Sequence, residues 1–386
     1  MWSDGCDRTE AQPLSNNPFG DLDEFLALPR VAGLAVSADG SRAVTTVSEL
    51  NEKRTEYVTA VWELDVDGEQ QARRLTRGAK GESSPVFTAS GDLLFIAKRD
   101  VKSADGGEEP TASLWRLPAG GGEAAPILDL PGGVDAIHAA RQADVTLVSA
   151  SLLPSAISVE DDERLRALRK DTKVSAVLHR GYPIRHWDHD IGPAQPHLLD
   201  VAGGQERSDT GRGSPVRDLT PDPGQGLREA ELDVSADGRF AVTTWSVAGP
   251  DTSLRQTLVL VDVATGERTT IADDPHADLG APAISPDGSA MAFVREFHWT
   301  PETAPRITLF TMMFGKTFTA VADDWDRRPA SVSWSTDGTS LIVTADDAGR
   351  RPVPDRSRRG ALDGDPADRR RLQLHRRPIV AGPARG

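Results

Sequence analysis

Only one cysteine, Cys6, occurs in the 386 residues, so no internal disulfide can form, and this fits a reducing compartment. No apolar run approaches the roughly 18 residues that a membrane-crossing helix needs. The first 17 residues are polar and lack the apolar core of a signal peptide. Together these absences give the expectation of a cytoplasmic protein with no membrane partner. Helical periodicity is nearly absent, while 38% of the residues are apolar, so one large all-β domain is expected. A basic excess is missing as well. The net charge of −15 argues against nucleic acid as a partner, because phosphate binding needs a basic surface.

Recognisable catalytic machinery is also absent. No serine has glycines two residues before and two after it, as the nucleophile elbow of an α/β-hydrolase requires. There is no P-loop, dinucleotide-binding fingerprint, His-Glu-x-x-His or Cys-x-x-Cys. No catalytic, cofactor-binding or metal-binding residue is therefore assigned, and no cofactor is expected.

What the chain does contain is a repeat. Val234-Ser235-Ala236-Asp237-Gly238, Ile284-Ser285-Pro286-Asp287-Gly288 and Trp334-Ser335-Thr336-Asp337-Gly338 place serines 50 residues apart. Asp-Gly between two apolar runs signals a hairpin, since glycine readily takes the positive φ of the turn. The runs after the turn, such as Ala241-Val242-Thr243-Thr244-Trp245, suit strands. A second hairpin follows in each complete copy. After Ser235 it is Leu258 to Val263, a turn over 264–267, then Arg268 to Ile271. Four short strands per unit of about 50 residues is the pattern of a β-propeller blade.

Earlier copies begin at Ser37, Thr88 and, weakly, His138, making six units. The unit near 138 is about twice as long as the others. It holds the one good helical pattern, Val159 to Lys170, which opens with acids and closes with bases as the helix dipole favours. The outer hairpin resumes at His197 to Val201, with Gly203-Gly204 as its turn, and ends near Val216 to Thr220. The insertion over 153–195 thus lies within the third blade and is expected to project from it. A short helix or docking segment is expected within 17–29, around Leu22, Phe25 and Leu26, and a solvated loop over 101–110.

Two segments carry candidate chemistry. His186-Trp187-Asp188-His189-Asp190 could bind zinc or a similar ion. As a continuous strand, however, it would put His186, Asp188 and Asp190 on one face and His189 on the other, which favours packing or interface roles. Asp323-Asp324-Trp325-Asp326-Arg327-Arg328-Pro329 is an acidic, aromatic loop between units. Its carboxylates could grip a basic group; an Asp-capped turn with an Asp–Arg pair explains the same residues.

The chain divides into a flexible leader (1–17), a propeller (18–349) and a basic tail (350–386). The tail holds 11 arginines, no lysine and four aspartates. The blade pattern stops there in mid-unit. Text rich in Arg, Pro and Ala is what a GC-rich gene gives in a wrong frame. The tail is therefore read as out of frame or foreign to the fold, and is expected to be disordered.

Ser-x-Asp-Gly before an apolar strand, with hairpins ending as Arg74-Leu75-Thr76 or Asp218-Leu219-Thr220, resembles the TolB-like propeller repeat. The opening Phe25-Leu26-Ala27-Leu28-Pro29-Arg30, the inserted Arg185-His186-Trp187-Asp188-His189 and the loop Asp324-Trp325-Asp326-Arg327 narrow the likeness. They resemble the N-terminal propeller of acylaminoacyl-peptidase-like and dipeptidyl-aminopeptidase-like enzymes in the prolyl oligopeptidase family of serine peptidases. The resemblance covers about residues 18–353. It implies a propeller of the seven-bladed type, here with five to six blades, that gates peptide substrates for an α/β-hydrolase domain carrying Ser, Asp and His. None of those catalytic residues can be placed in this chain, so a truncated, inactive gating domain is expected, with that hydrolase domain and a peptide substrate as its partners. A stand-alone TolB-like propeller that binds a protein or peptide partner is the alternative from another class. A propeller glycosidase or lactonase, with acids or metal ligands around a channel, is a third.

Overall fold

In the computed structural model the described residues are 19–99, 111–179, 181, 183–201, 216–249, 253–321, 323, 325, 327–345 and 379–380. The leader 1–17, the loop 101–110, the Gly203-Gly204 turn and all of the 350–386 tail but 379–380 lie outside them.

The Ser-x-Asp-Gly turn organises the described fold, and its geometry explains its composition. In the copy at 235, the Ser235 hydroxyl donates to Asp237 Oδ1 at 2.8 Å and accepts the Phe240 amide at 3.1 Å. Asp237 Oδ1 also accepts the Arg239 amide, and Gly238 has φ 73°. The copies at Ser37, Ser285 and Ser335 repeat the Ser–Asp bond at 2.6 Å. A carboxylate accepting several donors is favoured in its charged form. These bonds hold Asp39 and Asp337 down to about 2, and Asp237 and Asp287 below the usual carboxylate range.

Each turn joins the first two strands of an antiparallel sheet. The first sheet runs Arg30–Val36, Ala43–Leu50, Tyr57–Leu64 and Arg73–Arg74; the second runs Glu82–Phe87, Leu93–Ala97, Ser113–Leu117 and Ala125–Leu128. The third takes Val134–Ala139 and Thr146–Leu152, then, after the insertion, Gln195–Val201 and Val216–Asp218. The fourth and fifth span Leu232–Ala272 and Ala277–Ala320 with four strands each. The sixth pairs Pro329–Trp334 with Ser340–Ala345, and Ile379–Val380 pairs with Ser340 and Leu341 as a third strand. The all-β propeller read from the repeat is the fold observed.

The insertion sits between neighbouring antiparallel strands, with Thr146 opposite Val201 and Leu152 opposite Gln195. Its helix, Val159–Asp171, is capped by the Ser158 hydroxyl, which accepts the Asp161 amide at 3.2 Å. Asp162 is fully buried and ties the helix to its blade. It accepts the Leu153 amide at 2.8 Å and Arg166 Nε at 2.7 Å, and Arg166 in turn donates to the Ser151 carbonyl. The expected short segment near the start forms a helix over Leu22–Ala27.

The core lies between the blades. Phe95, Val44 and Trp115 join blades one and two; Leu114, Val148 and Leu199 join two and three. Leu147, Leu219 and Val261 join three and four; Phe293, Leu258 and Phe310 join four and five; Leu309 and Leu341 join five and six. Full burial of such side chains stabilises by about 1.5–3 kcal/mol each. On the first strand of blade one, Val31, Leu34 and Val36 remain 70%, 67% and 50% exposed. A bulge after Ala32 brings all three onto the face opposite blade two.

Candidate functional site: the clefts around the third blade

Of the two segments that drew attention in the sequence, the first takes a different form from a continuous strand. His186-Trp187-Asp188-His189-Asp190 is no continuous strand. It is a two-stranded hairpin, with Arg185 opposite Asp190, His186 opposite His189, and the turn at Trp187 and Asp188. Trp187 has φ 52°, a conformation that costs a bulky residue, and it is 89% exposed. The alternation that would split the histidines between faces therefore does not apply, because the turn pairs their backbones. In the second segment, Asp324 and Asp326 lie outside the described residues. Asp323 pairs with Arg306, and Arg328 reaches Glu296 Oε2 at 3.1 Å.

Two cavities flank the third blade. One, of about 360 Å³, is a cleft between blades three and four. Its polar wall holds Asp135 on the innermost strand, Ser149 and Ser151 on the next strand, Arg228 on the connection to blade four, and Thr243. Loss of water around Asp135 pushes its carboxyl above the usual range, and the Ser151 hydroxyl donates to it at 3.3 Å. Arg228 is half-buried and donates Nε to Gln225 Oε1 at 2.6 Å; burial works against its charge and the neighbouring Glu229 supports it. The cleft thus presents a guanidinium, three hydroxyls, the Glu229 carboxylate and the shifted Asp135 carboxyl beside Leu227, Ala230 and Leu232. That set can hydrogen-bond the backbone of an extended peptide. The histidine on its wall, His197, is hydrogen-bonded to Asp218 and to no serine among the described residues.

The second cavity, of about 520 Å³, opens between the inserted helix and the outer strands of the same blade. At its floor the buried His197 shares a 2.8 Å hydrogen bond between Nδ1 and Asp218 Oδ2. This is how a base and its orienting carboxylate are arranged. Nε2 of His197 has no hydrogen-bond partner among the described residues, however, so no described serine completes a triad with it. Ser158, on the cavity wall, uses its hydroxyl to cap the helix instead.

Sequence reasoning missed Asp135, Arg228 and the His197–Asp218 pair. Asp135 and Arg228 come from different blades, and His197 and Asp218 meet only because their strands are neighbours. No local motif marks any of them.

No family model matches the chain. Among curated proteins it is 23% identical over 356 residues to a dipeptidyl-peptidase 5 of Aspergillus fumigatus, an alignment over 85% of this chain and 47% of that protein. The chain therefore spans about half the length of this relative. In fold it is similar to the uncomplexed acylaminoacyl peptidase of Pyrococcus horikoshii, with a TM-score of 0.57 at 10% identity over 83% of this chain and 43% of the other. It is also similar to the β-propeller domain of the trilobed protease from Pyrococcus furiosus, with a TM-score of 0.53 at 8% identity, covering 84% of this chain and 81% of that domain.

Proposed function

We propose that this chain, which fits the N-terminal propeller of a prolyl-oligopeptidase-family peptidase, acts as the substrate gate of such an enzyme. The observation that carries the proposal is the extent of the match: a propeller fold aligned with a little under half of a dipeptidyl-peptidase and of an acylaminoacyl peptidase. In this reading the peptide bond is cleaved by an α/β-hydrolase unit. The propeller narrows access to it, so that short or N-acylated peptides enter and folded proteins do not. The cleft between blades three and four, with Arg228, Ser149 and Ser151, is the candidate path for the peptide backbone.

The proposal includes the reading of the basic tail as out of frame. Translation of every frame downstream of the Arg350 codon is expected to recover an apolar outer strand and later a Gly-x-Ser-x-Gly elbow, then Asp and His. If every frame stays free of that triad, the peptidase reading loses its main support.

Function is tested by joining this chain to the hydrolase half of the Aspergillus fumigatus dipeptidyl-peptidase 5 and comparing a dipeptidyl p-nitroanilide with casein. The fusion is expected to cleave the small substrate and spare casein, while the hydrolase half alone loses that discrimination. Equal attack on casein with and without the propeller would overturn the gating role.

A further inference from the structure

An open cavity of about 690 Å³ lies along the outer part of blades one and two. Arg77, Lys80, Lys98 and Arg99 line it, with Glu123 as the one carboxylate of its lining and Glu82 buried behind the loop. Glu82 is already committed. It is buried and accepts Arg99 Nη2 at 2.7 Å, the Thr76 hydroxyl at 2.9 Å and the Gly78 amide at 2.5 Å. Arg99 is fixed by that ion pair and by stacking, its guanidinium carbon lying 4.6 Å from the centre of the Trp115 ring. Arg77, Lys80 and Lys98 form no ion pair and no side-chain hydrogen bond among the described residues.

The loop that carries two of them is Arg77-Gly78-Ala79-Lys80-Gly81. A Cβ at Gly78 would come within 2.2 Å of Glu82 Oε1, so any side chain there would displace the buried carboxylate. Gly81 has φ 88°. The loop therefore wraps the Glu82 carboxylate on its inner side. The amides of Ala79 and Lys80 find no intrachain acceptor among the described residues. Unpaired amides in a glycine-bounded turn, beside cations, are the components of an oxyanion cradle. This cluster stands out on a chain of net charge −15. Among the described residues the lining of this cavity carries four cationic side chains and one carboxylate, and repulsion between the cations is relieved when an anion binds.

We propose that this cavity binds a small multivalent oxyanion, a phosphate ester or a polycarboxylate, with Lys80 and Lys98 as point charges and Arg77 as a fork. The site is separate from the clefts of the third blade and does not depend on the peptidase reading.

The test is calorimetric titration of the full chain at low ionic strength with pyrophosphate and, separately, with citrate. One saturable site is expected for at least one of them, with shifts at the Ala79 and Lys80 amides in NMR spectra. Preference for pyrophosphate assigns phosphate esters, and preference for citrate assigns polycarboxylates. The variant Arg77→Gln, Lys80→Gln, Lys98→Gln should weaken binding by about tenfold or more. Lys98→Gln alone, which leaves the loop intact, should weaken it less at an unchanged melting temperature. The arginine-rich tail is the competing binder, so Arg369→Gln, Arg370→Gln, Arg371→Gln is the control. No binding of either anion overturns the proposal. So does binding that survives the first triple variant or is lost in the tail control.

Discussion

Asp233 and Ile284 stand one repeat apart, and the Asp233 carboxylate accepts the Ile284 amide at 2.7 Å across the gap between blades four and five. Glu231, two residues before Asp233, does the same for the Ala281 amide. Ala281 has φ 48° and sits in the bulge between Gly280 and Ala283. A bulge leaves backbone donors outside the ladder, and the preceding blade supplies their acceptors. The hydrophobic clusters press the blades together; these carboxylates fix how far one strand slides along the next.

Removing the Asp233 carboxylate should therefore loosen one blade interface. Asp233→Ala leaves the Ile284 amide unsatisfied and is expected to cost about 1–3 kcal/mol in denaturant unfolding. Burial pushes the Asp233 carboxyl up. A raised folded-state value means stability is greatest below the unfolded carboxylate range and falls as pH rises through the interval to the folded value. Asp233→Asn keeps an acceptor and should remove that slope from melting curves taken across the acid range.

The turn aspartates act with the opposite sign. Asp39 and Asp337 are held at about 2, below the ordinary value for aspartate. Their contribution is complete above the unfolded value of about 3.9 and is lost as pH falls toward 2. Acid unfolding followed by circular dichroism should begin at higher pH in the double variant Asp39→Asn, Asp337→Asn than in the parent.

His138 adds a third term at milder pH. It lies on the innermost strand of blade three opposite Leu147, and burial lowers it to about 4. A neutral, partly buried imidazole contributes fully above the unfolded value of about 6.5, and this is lost as pH falls toward 4. His138→Leu should flatten the stability profile over that window, measured by urea midpoints at pH 7 and pH 5. An unchanged profile would show that His138 stays wet.

Phe293 is fully buried and touches two other rings, Phe310 stacked and Phe318 edge-on, both at 5.8 Å between centres. Phe293→Ala is expected to cost about 3–5 kcal/mol, since a strand-centre cavity between two blades cannot collapse without moving both. Guanidinium unfolding should show the loss as a lower midpoint.

The inserted helix has few apolar anchors, so its place depends on Asp162. Asp162→Ala breaks a buried ion pair with Arg166 and frees the Leu153 amide. Leaving that charge unpaired is worth about 3–5 kcal/mol. The expected outcome is faster tryptic cleavage within 164–173, at an unchanged melting temperature for the rest of the propeller.

Much of the blade architecture was legible because its signals are local. Asp-Gly turns, β-branched runs and the 50-residue period depend on near neighbours in the chain, and the 159–170 helix announced itself by charge order. The hairpin at Arg185–Asp190 was not legible because its two-residue turn at Trp187-Asp188 carries no glycine, and alternation alone cannot distinguish a strand from a tight hairpin. The paired strand at Ile379–Val380 lies within a tail whose composition suggested no structure.

The sequence alone determined the repeat, the strand order within each blade and the turn chemistry, since backbone conformation and hydrogen bonds over a few residues fix them. Only the tertiary structure decided what faces what. Asp135 meets Arg228 across a cleft, Asp233 reaches Ile284, and Arg77, Lys80 and Lys98 converge on one cavity because the blades stack face to face. That stacking brings together residues tens of positions apart, and hydrophobic burial, which drives it, is non-directional and leaves no spacing rule in the chain.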